Sequence, residues 1–192
     1  MPTARDAAQP DPIAEMVRIV TRTLWILFAG FAFAVIAYFV LFLLTRSGES
    51  TLEALRQVDR PAHWEQWQFF FVALGLAAVY VSRRLRGRLL GVERIRRTAQ
   101  RSARAATAGS AARGEALGRV FQDVVARIIV GHVILWGLVE IPAVLGVVDR
   151  MVSGEARYFL VLILLTAFGL YLHRPSPARI AGLLRSLWNT SG

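Results

Sequence analysis

Cysteine is missing from the chain altogether. That excludes disulfides, a thiolate nucleophile and any cysteine-held metal, and it leaves the redox compartment open. Lysine is missing as well, so all 23 basic residues are arginine. The sequence has no Walker loop, no HExxH, no dinucleotide fingerprint and no serine elbow of the hydrolase or rhomboid kind. No nucleophile stands at motif spacing from a base. The expectation is a protein without catalytic residues, without a metal and without a cofactor, hence not an enzyme. No repeat relates the two halves, which argues against an inverted-repeat transporter. The first apolar run is too long for a cleavable signal peptide, and no small-residue cleavage site follows it.

What is abundant is apolar surface. Of 192 residues 55% are hydrophobic, and the mean hydropathy is +0.47. A soluble domain of this length is seldom so apolar, so the composition points to a membrane protein. Four segments have the character of spans: 23–45, 66–82, 128–148 and 158–172. A hydrocarbon core of ~30 Å takes about 20 helical residues. The first and third segments fit. The second lies at the lower edge. The fourth is short enough to require snorkelling by Arg157 and His173 or a thinned bilayer. These segments are apolar all round, unlike the striped helices of a soluble bundle. The expected fold class is therefore all-α, a polytopic membrane protein with four transmembrane helices.

The polar segments organise the rest. Residues 1–22 form an N-terminal tail with an amphipathic lead-in. In it Asp11-Pro12 supplies a cap and a first-turn proline, and Ile13, Met16, Val17, Val20 and Leu24 fall at helical spacing. Ser50-x-x-Glu53 predicts a short helix over 51–58, ended by Pro61. Trp64 and Trp67 mark a membrane interface.

Residues 83–127 hold Arg83, Arg84, Arg86, Arg88, Arg94, Arg96, Arg97, Arg101, Arg104, Arg113, Arg119 and Arg127 against Glu93, Glu115 and Asp123. Leu85, Leu89, Val92, Ile95 and Ala99 make one apolar stripe. TAGSAARG (107–114) breaks it, and Leu117, Val120, Phe121 and Val124 resume it. The pattern predicts a basic helical hairpin continuing the second and third spans. In the tail (175–192), Ser176-Pro177 starts a helix whose apolar face is Ile180, Leu183, Leu184, Leu187 and Trp188. That face suits the membrane interface or the protein's own hairpin.

Arginine-rich loops stay cytoplasmic. The 83–127 segment is then inside, the 46–65 and 149–157 segments outside, and both termini cytoplasmic. The abundance of alanine and arginine suggests a GC-rich bacterial genome, hence a bacterial cytoplasmic (inner) membrane. Expected partners are the lipid bilayer and its anionic headgroups, or an acidic protein, with a homo-oligomer or larger membrane complex possible. Twelve arginines could also bind nucleic acid. No aromatic residue interleaves Arg83 to Arg119, however, and positive-inside topology explains the loop without a nucleic-acid partner.

One stretch breaks the apolar pattern: GLVEIPAVLGVV, residues 137–148. Glu140 lies roughly 20 Å along a helix from Arg127 and roughly 13 Å from Asp149, well inside the hydrocarbon. An ionised carboxylate there costs about 2.5–3.5 kcal/mol, so it should face another helix or a wet cavity. Pro142 has no N–H for the Leu138 carbonyl and crowds it. A kink there would expose a backbone acceptor beside the carboxylate. Gly137 and Gly146 would permit close helix approach. His132 shares the span, about 12 Å from Glu140, as a packing histidine or a relay.

Glu140 followed by Val144-Leu145-Gly146-Val147-Val148 resembles the ion-carrying helix of the rotary-ATPase proteolipid, the c subunit. In that family a membrane carboxylate is followed six residues later by glycine and a branched apolar run. The resemblance implies that Glu140 carries an ion. It is confined to this helix: LFAGFAFAVIAYFV lacks the proteolipid's dense glycine repeat, and the arginine loop lacks the short Arg-Gln-Pro turn. The whole layout is more similar to small four-span bacterial membrane proteins. Two functions follow. One is a non-enzymatic subunit or scaffold with a basic cytoplasmic hairpin. The other is a small ion- or proton-conducting oligomer built on Glu140.

Overall fold

The computed structural model describes residues 12–47, 63–108, 113–153 and 156–188. Every regular element among them is an α-helix: α1 (Pro12–Ser47), α2 (Trp64–Leu89), α3 (Val92–Ala108), α4 (Arg113–Ser153), α5 (Ala156–Leu172) and α6 (Pro177–Trp188). The short helix expected over 51–58 and the cap expected at Asp11 lie outside the described residues. Three helices are long and apolar enough to cross a membrane: 14–44 in α1, α2, and 120–153 in α4. A fourth candidate is α5 counted together with α6 across the break between them.

Helix boundaries follow local chemistry. Pro12 opens α1, where a missing N–H costs nothing. The His63 carbonyl accepts from Gln66 N at 2.9 Å to start α2. The Ser176 carbonyl accepts from Ile180 N at 3.1 Å, with Pro177 the first residue of α6. Of the stretch read as a turn at 107–114, residues 107 and 108 end α3, 113 and 114 begin α4, and 109–112 lie outside the described residues.

One boundary differs from the sequence reading. The apolar stripe predicts a helix running from the second span into the hairpin. Instead α2 ends at Leu89 and α3 begins at Val92. Gly91 causes the break, because its poor helix propensity lets the backbone leave the helix. Its carbonyl then serves as the new cap, accepting from Arg94 N (3.0 Å) and Ile95 N (3.2 Å).

The chain forms two compact units. The first draws on the chain up to Ile26, Arg88–Gly131 and the chain from Pro175. Its buried side chains come from four helices: Val20 and Leu24 of α1, Ile95 of α3, Val124 and Ile128 of α4, Ile180 and Leu184 of α6. Helix α6 packs against α3, and Ile180 and Leu184 of its apolar face are buried, while the side chains of Leu187 and Trp188 lie outside the described residues. Leu90 lies against Gly131, where an added Cβ would come within 2.7 Å of its Cδ2.

The second unit comprises Leu27–Gly87 and His132–Arg174. Phe42 of α1 stacks on Phe159 of α5 at 4.6 Å, with Ala143 and Ile163 completing a core flanked by Val35, Tyr38 and Val147. Helices α4 and α5 meet closely. A Cβ on Gly146 would lie 3.2 Å from Leu162 Cβ, and one on Gly169 would lie 2.5 Å from Val139 Cγ1. Gly137, expected to serve the same purpose, faces open space. Helix α4 runs unbroken through Pro142.

Candidate functional site

Helix α2 packs through a narrow stripe: Gln68, Gly75, Ala78, Val79 and Ser82 are its buried residues. Gln68, Gly75 and Ser82 stand seven apart and share one face. The large apolar side chains Phe69, Phe70, Leu74, Leu76 and Tyr80 point outward. This inverts a soluble helix and suits one with lipid outside and small or polar contacts inside. Gly75 gives Pro142 a packing partner on α2. A Cβ on Gly75 would lie 3.2 Å from Pro142 Cβ and 3.3 Å from its Cγ, so the rigid ring occupies the space the glycine leaves.

Among the described residues of this unit, polar side chains gather at three places. At the level of Pro142's neighbour, Tyr38 Oη of α1 donates to Glu140 Oε1 at 3.2 Å. Glu140 is half-buried, on the same stripe of α4 as Ala143 and Val147, which line the core shared with α1.

The second cluster surrounds Asp149, fully buried at the far end of α4. Gln68 Nε2 donates to its Oδ1 at 2.9 Å and Trp64 Nε1 donates to the same oxygen at 3.2 Å. In the sequence Asp149 serves only as the edge of a span, and Trp64 as an interface marker. The alternation of large and small residues on α2, with Gln68 in register with Gly75, was the available signal that Gln68 faces inward.

The third cluster lies where α5 ends. Ser82 Oγ donates to Val79 O at 2.7 Å and lies 3.0 Å from His173 Nε2. A hydroxyl has one proton, and here the carbonyl takes it. His173 must therefore donate through Nε2–H, which leaves Nδ1 unprotonated, buried and without a hydrogen-bond partner. Arg86 Nη1 donates to Leu172 O at 2.7 Å, and Trp136 Nε1 donates to His173 O at 3.1 Å. Two side chains thus satisfy carbonyls that the end of α5 leaves open. His132 is buried beside Trp136, ring centroids 5.5 Å apart. His173 follows the last residue of α5. Its burial, then the Arg86 guanidinium and His132, lower its pKa to about 4. His173 therefore does not snorkel, as a short fourth span would ask of it. It turns inward, and Arg174 takes the outer position.

The arginines singled out by sequence have separate fates. Arg86 caps α5. Arg84 donates through Nε to Tyr80 Oη at 3.0 Å and lies over that ring. Arg94 donates to Arg88 O, and Arg97 pairs with Glu93 at 3.3 Å on the surface. Arg83, Arg88 and Arg101 are exposed and Arg96 half-buried. The side chain of Arg104 lies outside the described residues. Among the described residues no group of three or more histidines and carboxylates could hold a metal.

Comparison with protein-family models, with characterised proteins and with solved structures finds no match to this chain.

Proposed function

We propose that the protein is a non-enzymatic subunit or scaffold of a bacterial cytoplasmic membrane. It crosses four times, keeps both termini inside and presents its first unit to the anionic cytoplasmic surface. The observation that supports this is the exposed charge of that unit: Arg18, Arg22, Arg88, Arg94, Arg97, Arg101, Arg179 and Arg185 against Glu15, Glu93 and Asp123. The surface ion pairs Arg18–Glu15 and Arg97–Glu93 are widely exposed and contribute little. Each arginine near an anionic bilayer is worth about 1 kcal/mol, and the attraction fades within a Debye length. An acidic protein partner would use the same surface.

The test uses the full chain in bilayers carrying a fraction of spin-labelled lipid. Labelled phosphatidylglycerol should be enriched around the protein relative to labelled phosphatidylcholine. The preference should shrink in high salt and in an Arg94→Gln, Arg97→Gln, Arg101→Gln variant. Equal affinity for both lipids, with an acidic protein retained on the same surface, would transfer the role to a protein partner.

The ion-conducting alternative rests on Glu140, with His132 as a relay. Nine residues separate Glu140 from Asp149, which is 2.5 helical turns. The two carboxylates therefore lie on opposite faces of α4, one meeting α1 and the other α2. This spacing gives no single-file path along the helix, and the Tyr38 hydroxyl supplies Glu140 with a structural partner. Under the alternative, Glu140→Gln would abolish proton flux into reconstituted vesicles while leaving the fold intact. Under the scaffold reading no such flux exists to abolish.

A further inference from the structure

Helices α2 and α5 run side by side in the second unit, and contacts at both ends fix their register. At one end the Phe69 and Tyr158 rings meet edge to face at 6.1 Å. At the other, Ser82 meets His173 and Arg86 caps Leu172. Their uncharged stretches therefore begin and end at the same two levels: Gln66–Ser82 on α2, Tyr158–Leu172 on α5. Both are short. Helix α5 has 17 residues in all, about 25 Å at ~1.5 Å each, against a hydrocarbon core of ~30 Å.

Three guanidiniums bound the apolar face. Arg157 lies over Tyr158 (4.7 Å), Arg174 over Tyr171 (4.7 Å) and Arg84 over Tyr80 (5.5 Å). In each pair the tyrosine is the residue nearer the middle of the apolar stretch, so an arginine and a tyrosine together mark each edge. Helical side chains lean toward the N-terminus, which takes Arg84 toward the middle of α2, where it stacks on Tyr80. Tyr158 and Tyr171 stand 13 residues apart, about 20 Å. Between these levels the outward surface is apolar: Phe70, Leu74 and Leu76 on α2, Leu160, Leu164 and Phe168 on α5.

We propose that this face fits an apolar slab of about 20–25 Å, so that its partner is a ring of short or compressed acyl chains and the bilayer thins against it. Tilting cannot help, because it shortens the height a helix spans. The uncharged run of α1, 23–45, is longer and can tilt to fit a thinner slab. Sliding α2 along its neighbours would break the Gln68–Asp149 and Ser82–His173 contacts and lift Gly75 from Pro142. The short pair therefore sets the thickness, and the long helices adapt.

The proposal rests on α5 crossing as a span of its own, and the experiment separates the two. Full-length protein is reconstituted in monounsaturated phosphatidylcholines of fourteen to twenty-two carbons, and the thermal midpoint is read in each. The midpoint should be highest at fourteen or sixteen carbons and fall steadily with length. An Arg157→Leu, Arg174→Leu variant, altered at two exposed positions, should move the optimum to longer chains. Because the natural chain has no cysteine, Arg157→Cys and Arg174→Cys report sidedness without background and should label from opposite faces. Opposite-face labelling with an optimum at eighteen carbons or more, or an optimum the leucine variant leaves in place, overturns the proposal alone. Labelling of both positions from one face overturns it together with the four-span arrangement.

Discussion

At the scale of single residues, what matters is which side chain receives each buried polar atom. Glu140 has a donor in Tyr38 Oη, 102 positions away in the chain. Hydrogen bonds between membrane helices average about 0.6 kcal/mol and reach about 1.7. Tyr38→Phe should therefore destabilise the protein by an amount in that range. In a Glu140→Leu background the same substitution should cost nothing more, so a double-mutant cycle in detergent should show the coupling. Additive costs would mean the contact carries no energy. His173 gives a pH prediction. Its folded pKa of about 4 lies below the ordinary 6.5, so the unfolded chain binds more protons between those values. The stability from this group is complete above about pH 6.5 and is lost as pH falls toward 4. His173→Gln should flatten that part of the stability–pH curve. An unchanged slope would show that other groups dominate it. Glu140 was legible in the sequence because a carboxylate among aliphatics is costly wherever it points. Asp149 and His173 were not, because each stands at the end of an apolar run, where water and protein are equally available partners until the neighbouring helices are placed.

At the scale of helices, glycine decides how closely axes approach, and the sequence does not say which glycine does so. Gly137 and Gly146 stand on either side of Glu140 in the same span. The structure puts Gly146 against Phe159 and Leu162 and leaves Gly137 open. Gly169, unremarkable in sequence, has the tightest site: an added Cβ would sit 2.5 Å from Val139 Cγ1, on a β-branched side chain with little freedom to move. Gly169→Ala should cost about 1–3 kcal/mol through overpacking. Gly137→Ala should be neutral or stabilising by up to about 1 kcal/mol, since alanine is the better helix former. Unfolding of both variants in mixed micelles tests the pair, and equal effects would contradict the α4–α5 packing. Helix existence was legible from the apolar runs, from the prolines that open α1 and α6, and from Ser176 before α6. The Leu89–Val92 discontinuity was hidden by a stripe that keeps helical phase across it: Leu85, Leu89, Val92 and Ile95 advance by fours and threes, so only Gly91 marks the place.

At the scale of the whole molecule, the arrangement of charge and the arrangement of apolar surface make independent statements about orientation. In the orientation proposed above, charge puts the arginine-rich 83–127 segment in the cytoplasm and the 46–65 segment, with its four carboxylates, on the opposite side. Apolar surface assigns lipid to the outward faces of α1, α2, α4 and α5, where Phe33, Phe69, Val130 and Leu164 are among the exposed large side chains. The proposed arrangement has α5 crossing alone. If α5 and α6 together made one broken span, the C-terminus would end on the same side as before, but the Arg174–Ser176 break would lie within the membrane. That would place Arg174 and the exposed Arg179 in hydrocarbon, at a cost of about 2.5–3.5 kcal/mol for each charge near the midplane. The packing of α6 on α3 would also have to be given up. Four separate crossings avoid both costs. Fusions of a periplasm-active reporter at Gly48 and Gly154 should therefore be active, and fusions at Gly109 and after Gly192 inactive. A cysteine at Ala178, exposed on α6, should react with a membrane-impermeant maleimide in inverted vesicles but not in intact cells. Failure to react in both preparations would place α6 in the hydrocarbon and favour the broken span. Activity at Gly109 would reverse the orientation and take the basic unit away from the anionic leaflet it is proposed to face.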